Sequence, residues 1–284
     1  MPLPAAAAKV NRGRRTCPAM PRFGPIKTTI RGSTGGNKSH PPAVRCGHGE
    51  HMIRNHPRRR TLAALMFAGL LLLLPGAASA LTTAEEDFIC PLDGTTSQRT
   101  VVMSYTVFDT RLDFRPIGAL LSPPPIAVCQ SNGFVLYQED FTEDQLVQLR
   151  EIVASDEYKT LRAENGDWFM AGYLAERMGA APAETHWMYL YAAWADEDSN
   201  PARSQRYLSL AFERFVLSER ATSTGSRDWW VARWMQIEIH RRLGRFEEAD
   251  RLLAATDMNA APEDFRPMIL RQTQLVEAQD SSAQ

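Results

Sequence analysis

The pattern of apolar and polar residues changes character three times along this chain. Residues 1–51 show almost no aliphatic periodicity, and residues 62–74 are then a continuous apolar run of 13 residues. From 99 to 108 the segment R-T-V-V-M-S-Y-T-V-F is dense in β-branched and aromatic side chains and predicts a strand. Pro123-Pro124-Pro125 forces extended backbone into Ile126-Ala127-Val128, a second short strand placed at an edge, and residues 134–137 predict a third. Beyond Phe141 apolar positions recur at spacings of three and four. Thr142 and Gln145 form a capping-box start, and Leu146, Leu149 and Val153 supply one apolar face, so the spacing predicts a helix over 143–154. Further helices are predicted over 167–178, ended by Gly179, and over 183–195, where Trp187, Leu190, Tyr191 and Trp194 share a face. Another starts at Asn200-Pro201 and carries Leu208, Ala211, Phe212 and Phe215; the last three cover 228–243, the segment after Gly244 to Leu253, and 262–277. Residues 280–284 are expected to fray. The prediction is a mostly α protein in which a small β-rich unit leads into helical hairpins.

Composition separates the N-terminal part from the rest. Residues 1–51 mix Pro, Gly, Ala and Arg, a composition that is not expected to fold. Cys17 and Cys46 lie near His40, His48 and His51, but they lack C-x-x-C spacing and a core to hold ligands. From Met52 the text changes. Arg54 and Arg58-Arg59-Arg60 form a basic head, the apolar run follows, Pro75-Gly76 breaks it, and Ala78-Ser79-Ala80 offers small residues. These are the parts of a secretory signal peptide, residues 52–80, with cleavage expected between Ala80 and Leu81. A membrane anchor is the alternative, weakened by Pro75, Gly76 and the alanines in the second half of the uncharged window. A signal peptide normally opens a chain, so residues 1–51 are read as a mis-annotated extension ahead of a start at Met52. The membrane is therefore expected to matter only during export, and the mature protein to be periplasmic or otherwise exported.

Charge sharpens that division. Residues 1–60 carry 13 Lys and Arg and one acid, Glu50, whereas the chain after Ala80 carries 19 bases and 32 acids. An acidic body of this kind, with Lys159 as its single lysine, excludes a nucleic-acid partner, because phosphate binding needs concentrated Lys and Arg.

Two short stretches each look like half of a metal knuckle: Cys90-Pro91-Leu92-Asp93-Gly94 and Cys129-Gln130-Ser131-Asn132-Gly133. A C-P-x-C-G knuckle uses two thiolates three residues apart, with Gly turning the chain around the metal. The first Cys and the Gly are present at both ends here, and Asp93 and Asn132 stand where the second Cys would be. Between them runs Asp109-Thr110-Arg111-Leu112-Asp113-Phe114-Arg115-Pro116, and Gln138-Glu139-Asp140-Phe141 leads into the first helix. In this order of parts, over residues 89–253, the chain resembles domain-of-unknown-function family 2225, an uncharacterised bacterial family. The resemblance implies a fold and no activity: a degenerate zinc-ribbon-like unit followed by helices. With the periodicity above, the β-rich knuckle unit is placed over 81–141, a helical-repeat-like domain over 142–278 and a disordered tail over 279–284. The resemblance also implies that the family's zinc site, with Cys90, Asp93, Cys129 and Asn132 as its residual positions, is lost, since Asn is a poor zinc ligand. No cofactor is expected. In the intact knuckle fold the cysteines converge on one metal, which places Cys90 beside Cys129. They are the only cysteines after Ala80, so in an oxidising compartment a disulfide is expected, with two buried free thiols as the alternative.

Leu243-Gly244-Arg245-Phe246-Glu247-Glu248-Ala249 resembles the second half of a tetratricopeptide repeat, in which a small Ala lets paired helices approach. The preceding helix has Arg233 and Ile237 where that repeat has a large residue and a Gly, so only this unit is legible. Trp168, Trp187, Trp194, Trp229, Trp230 and Trp234 all fall in the helical part. Core packing is expected of Trp187, Trp194 and Trp234, and one of the adjacent Trp229 and Trp230 must point off its helix face; an aromatic groove for a peptide or glycan is the alternative. Asp109, Arg111 and Asp113 are read as a turn in which Asp accepts backbone N–H bonds and Arg111 pairs with one of them, against a carboxylate pair for acid–base work or cation binding.

The region after Ala80 has two histidines, His186 and His240, and no G-x-S-x-G, H-E-x-x-H or phosphate loop. No catalytic or cofactor-binding residue is assigned. The expected function is a periplasmic binding or scaffolding protein that offers a helical-repeat surface to a protein or peptide partner. The alternative is a periplasmic enzyme built on scattered carboxylates. A concave apolar groove favours the first, and a pocket joining carboxylates to His186 or His240 the second.

Overall fold

The computed structural model describes residues 81–257 and 259–283. The extension, the signal peptide and Ala80 lie outside the described residues; Leu81 immediately precedes the first strand. Strand β1 (Thr82–Ile89) pairs antiparallel with β2 (Thr96–Ser104), and β3 (Thr106–Thr110) pairs antiparallel with β4 (Pro116–Ala119). In the first ribbon Glu86 faces Arg99, forming a 2.7 Å ion pair, and Thr100 donates its hydroxyl to Glu85 at 2.9 Å. The strand predicted over 99–108 is two strands, because the chain leaves one sheet at Ser104 and enters the other at Thr106. β1 escapes prediction because its T-T-A-E-E-D-F-I segment is polar and largely exposed. β4 escapes because Pro116 and Gly118 read as breakers; Gly118 is needed, since a Cβ there would sit 2.0 Å from the Thr106 carbonyl oxygen. The strands predicted over 126–128 and 134–137 shrink to a single bridge, Val128 to Val135, with one bond from the Leu136 N–H to the Ala127 carbonyl at 2.9 Å. The prolines before them remove the donors a longer ladder would use.

Eight helices follow among the described residues: α1 (Glu143–Ala154), α2 (Asp156–Glu164), α3 (Asp167–Arg177), α4 (Pro182–Asp196), α5 (Pro201–Ala221), α6 (Arg227–Arg242), α7 (Phe246–Ala254) and α8 (Arg266–Glu277). The described protein is thus mostly helical with two small antiparallel sheets. The Thr142 capping box forms in both directions, and the Asn200 side chain caps α5 by accepting from the Arg203 N–H at 3.1 Å. Gly244, at φ 70°, makes the left-handed turn that lets α7 double back on α6. Sequence periodicity missed α2, where Ser155 ends one helix and caps the next by accepting from the Tyr158 N–H at 3.1 Å. The end read as a fraying tail begins held: the Asp280 carbonyl accepts from Arg241, and its N–H donates to the Leu275 carbonyl.

The buried apolar side chains form two clusters. One joins Cys90, Cys129, Phe134 and Val135 to Leu149, Val153, Tyr158, Met170 and Leu174, so the knuckle region shares its core with α1 to α3. A unit of about fifty residues with so few paired strands needs such a partner. The second cluster fills α4 to α8 around Trp194, Phe215, Trp234, Ala249 and Ile269. Trp168 and Phe169 on α3 touch both. Among the described residues no helix is long and apolar enough to cross a membrane.

Candidate functional site

The two knuckle turns are near copies of each other. Gly94 N–H donates to the Cys90 carbonyl at 2.9 Å, and Cys90 N–H to the Thr95 carbonyl at 2.8 Å. Gly133 N–H donates to the Cys129 carbonyl, and Cys129 N–H to the Phe134 carbonyl, both at 2.8 Å. Gly94 and Gly133 sit at φ 73° and 75°, where a side chain would be strained. Cys90 and Cys129 are fully buried and joined by a disulfide. Asp93 and Asn132 also meet: the Asn132 amide donates to Asp93 at 2.9 Å and reaches the Cys90 sulfur at 3.6 Å. Asp93 accepts further bonds from the hydroxyls of Ser131 (2.6 Å) and Thr95 (2.7 Å) and from the Thr95 N–H. These bonds, Ser131 first, pull its carboxyl down to about 2. All four knuckle positions therefore converge, yet they do not fit zinc. The two sulfurs are bonded to each other instead of presenting thiolates, and the other two side chains are engaged with one another. Helices tie down both turns: Arg150 donates to the Leu92 carbonyl at 2.9 Å and the Tyr158 hydroxyl to the Gly133 carbonyl at 2.7 Å.

The loop between β3 and β4 is a turn of the expected kind with an unexpected reach. Asp113 accepts from the Arg115 N–H at 3.1 Å and pairs with Arg111 at 2.8 Å. The same carboxylate, 1% exposed, accepts from Arg242 at 2.6 Å and from the Trp194 indole at 2.9 Å. Glu197, just past α4, takes Arg111 at 2.7 Å, Arg115 at 2.6 Å and Arg242. Burial works to raise the Glu197 carboxyl, but the Arg111 hydrogen bond and the charges of Arg242, Arg111 and Arg115 hold it below its ordinary value. Trp234 donates to the Leu112 carbonyl at 2.6 Å, and Phe114, at φ 64°, sets its ring edge-on to Trp187. Asp109 stays exposed and accepts from the Thr110 N–H, so it forms no carboxylate pair with Asp113. Glu197 and Arg242 had no local signal in the sequence; Arg242 is 129 residues from Asp113.

The two histidines serve packing. His186 is buried on Phe215 with ring centroids 4.2 Å apart, and burial pushes it down to about 4. His240 lies against Phe212 at 4.3 Å, held below its ordinary value by burial first and by Arg245. Trp194, Trp230 and Trp234 are buried, whereas Trp229 and Trp187 are half-buried.

The accessible chemistry lies around the proline strap. Arg115 donates to the Ser122 carbonyl at 2.8 Å, and the Trp168 indole to the Pro124 carbonyl at 2.9 Å. On one side of the strap a cavity of about 390 Å³ is lined by Arg115, Ser122, Trp168, Trp194, Asp196 and Asp198. On the other side an open groove of about 750 Å³ separates residues 99–102 of β2 from residues 124–127 and 136–139, with Tyr137 and Trp168 among its lining. Neither His186 nor His240 lines either space. Ser122 and Tyr137, one on each side, have buried hydroxyl oxygens without a hydrogen-bond partner. Burial pushes the Tyr137 hydroxyl up to about 12, so it remains a neutral donor at physiological pH. No family model, curated protein or solved structure matches the chain.

Proposed function

We propose that this is an exported, periplasmic binding or scaffolding protein that receives a protein or peptide partner in the groove where the β-rich region meets the first helices. The observation that carries this reading is the lining of that groove. Prolines, Tyr137 and Trp168 present apolar area beside residues 99–102 of β2. The buried carboxylate Asp113 and both histidines are committed to bonds or packing elsewhere, so the geometry favours recognition over an enzyme built on carboxylates. Export is supported by the signal-peptide pattern of residues 52–80 and by a buried disulfide, which suits an oxidising compartment. In this reading the knuckle region is a degenerate relative of family 2225, in which the disulfide and the Asp93–Asn132 bond stand in the metal's place. The helices after it are tetratricopeptide-like hairpins, with the fully buried Ala249 at a close contact.

A photo-cross-linking amino acid installed at position 137, in cells that export the protein, tests the function. A discrete adduct is expected there and none from position 270, where Leu270 is exposed and does not line the groove. Equal yields from the two positions would contradict it.

A further inference from the structure

We propose that the partner enters this groove as an extended strand added to the open edge of β2, carrying apolar residues and Lys or Arg; this rests on the binding function above. β2 pairs with β1 on one side only. Beyond the ribbon no backbone–backbone hydrogen bond joins β2 to another element among the described residues; the Gln130 N–H reaches only the Ser97 hydroxyl, at 3.0 Å. The two edges of the ribbon are treated differently. β1 carries Glu85, Glu86 and Asp87, all exposed, and charge on an edge strand discourages further pairing. β2 offers Thr100, Val101 and Val102 to the groove instead, side chains that suit a paired strand.

The opposite wall cannot close the gap by itself. Pro124 and Pro125 have no N–H to offer, and the strap carbonyls of Pro124 and Ser122 are taken by Trp168 and Arg115. The ribbon also gains from a third strand. Two strands with both faces largely solvated are marginal, and nearly all of β1 is exposed. Backbone pairing would supply affinity and alternate side chains would meet Val101 and Tyr137. Charge selects the sign of the partner. Arg99 and Glu139 both line the groove, but Arg99 is already paired with Glu86 at 2.7 Å, and the region after Ala80 carries 32 acids against 19 bases. A second copy of this chain would bring the same excess of acids, so a basic segment fits better.

The probe is a labelled synthetic nonapeptide alternating Val with Thr and Lys, titrated into the mature, oxidised protein. Two further versions carry N-methyl groups on the odd or on the even amides, and a fourth has Glu for Lys. A strand uses the donors of one edge only, so one N-methylated version is expected to bind at least about tenfold more weakly and the other much as the parent does. The Glu version is expected to bind more weakly, and Val101→Lys, with Val101→Thr as the folded control, to lose binding. Refusal of the parent peptide, or equal binding of both N-methylated versions, overturns strand addition. If position 137 still cross-links to its partner in that case, the binding function stands without it; if both fail, both fall. A concentration-dependent dimer that the peptide cannot displace would assign the edge to a second copy and overturn the proposal.

Discussion

Where the two knuckle turns meet each other, the contact is covalent and short-ranged; where the 111–115 loop meets the ends of α4 and α6, it is made of buried charge. The first fastening joins Cys90 to Cys129 and is surrounded by neutral hydrogen bonds and one carboxylate with four donors. The second brings three guanidinium groups and two carboxylates together, with two indoles donating into the same loop. A disulfide acts on the unfolded chain by shortening its free loop, whereas a buried ion cluster stabilises only while every member has its partner. The strap and groove hang between the two, with Arg115 at one end and Cys129 at the other. A perturbation that loosens one fastening should therefore leave the other standing.

The largest effect is expected from Asp113→Ala. It leaves the buried Arg111 and Arg242 with Glu197 alone to answer their charge and removes the acceptor of Trp194, a change of about 3–5 kcal/mol. Urea unfolding at neutral pH measures it, and a loss below about 1 kcal/mol would mean that the loop is not fastened by charge. Next comes the pair Cys90→Ala with Cys129→Ala. Opening a loop with a sequence separation of 39 removes roughly 2–4 kcal/mol, while the indole resonances of Trp194 and Trp234 stay in place. Movement of those resonances would show that the two fastenings are one cooperative unit.

A smaller and more selective effect comes from acid. Glu197 has a folded value below its unfolded one, so its contribution is present above the unfolded value and is lost as pH falls through the folded value. Asp93 follows the same sign but holds its proton off until about 2, and the disulfide does not titrate in this range. Titration down from neutral pH is expected to move the guanidinium resonances of Arg111, Arg115 and Arg242 as Glu197 takes its proton, with the Cys90–Cys129 bond intact throughout. Guanidinium resonances unmoved by acid would show that Glu197 does not fasten the loop.

Much of the helical part was legible because its signals are local. Thr142 with Gln145, Asn200 before Pro201, and Gly244 act within a turn of themselves, and the structure uses each as the sequence reading expects. The convergence of Cys90, Asp93, Cys129 and Asn132 was legible through the resemblance of two short turns, not through any periodicity. The β-rich part was misjudged where tertiary context overrode propensity. The acidic β1 is a strand because β2 supplies its ladder, and the residues after the prolines hold one bridge because their neighbours lack donors. The ion cluster was half visible. Arg111 and Asp113 share a turn, but Glu197 and Arg242 come from helix ends far along the chain, and their spacing carries no periodic mark. The one general hint was compositional: a body with nearly all its bases as Arg suits planar, multiply bonded pairs.

The groove between the fastenings is the centre of this account, and hydroxyl-radical footprinting of the exported protein in its native extract, against the purified chain, tests it most directly. Tyr137 and Trp168 are expected to lose reactivity in the extract, while the exposed Phe108 and Leu270 keep theirs. Unchanged reactivity at Tyr137 and Trp168, with protection appearing instead at Phe108 or Leu270, would contradict the account.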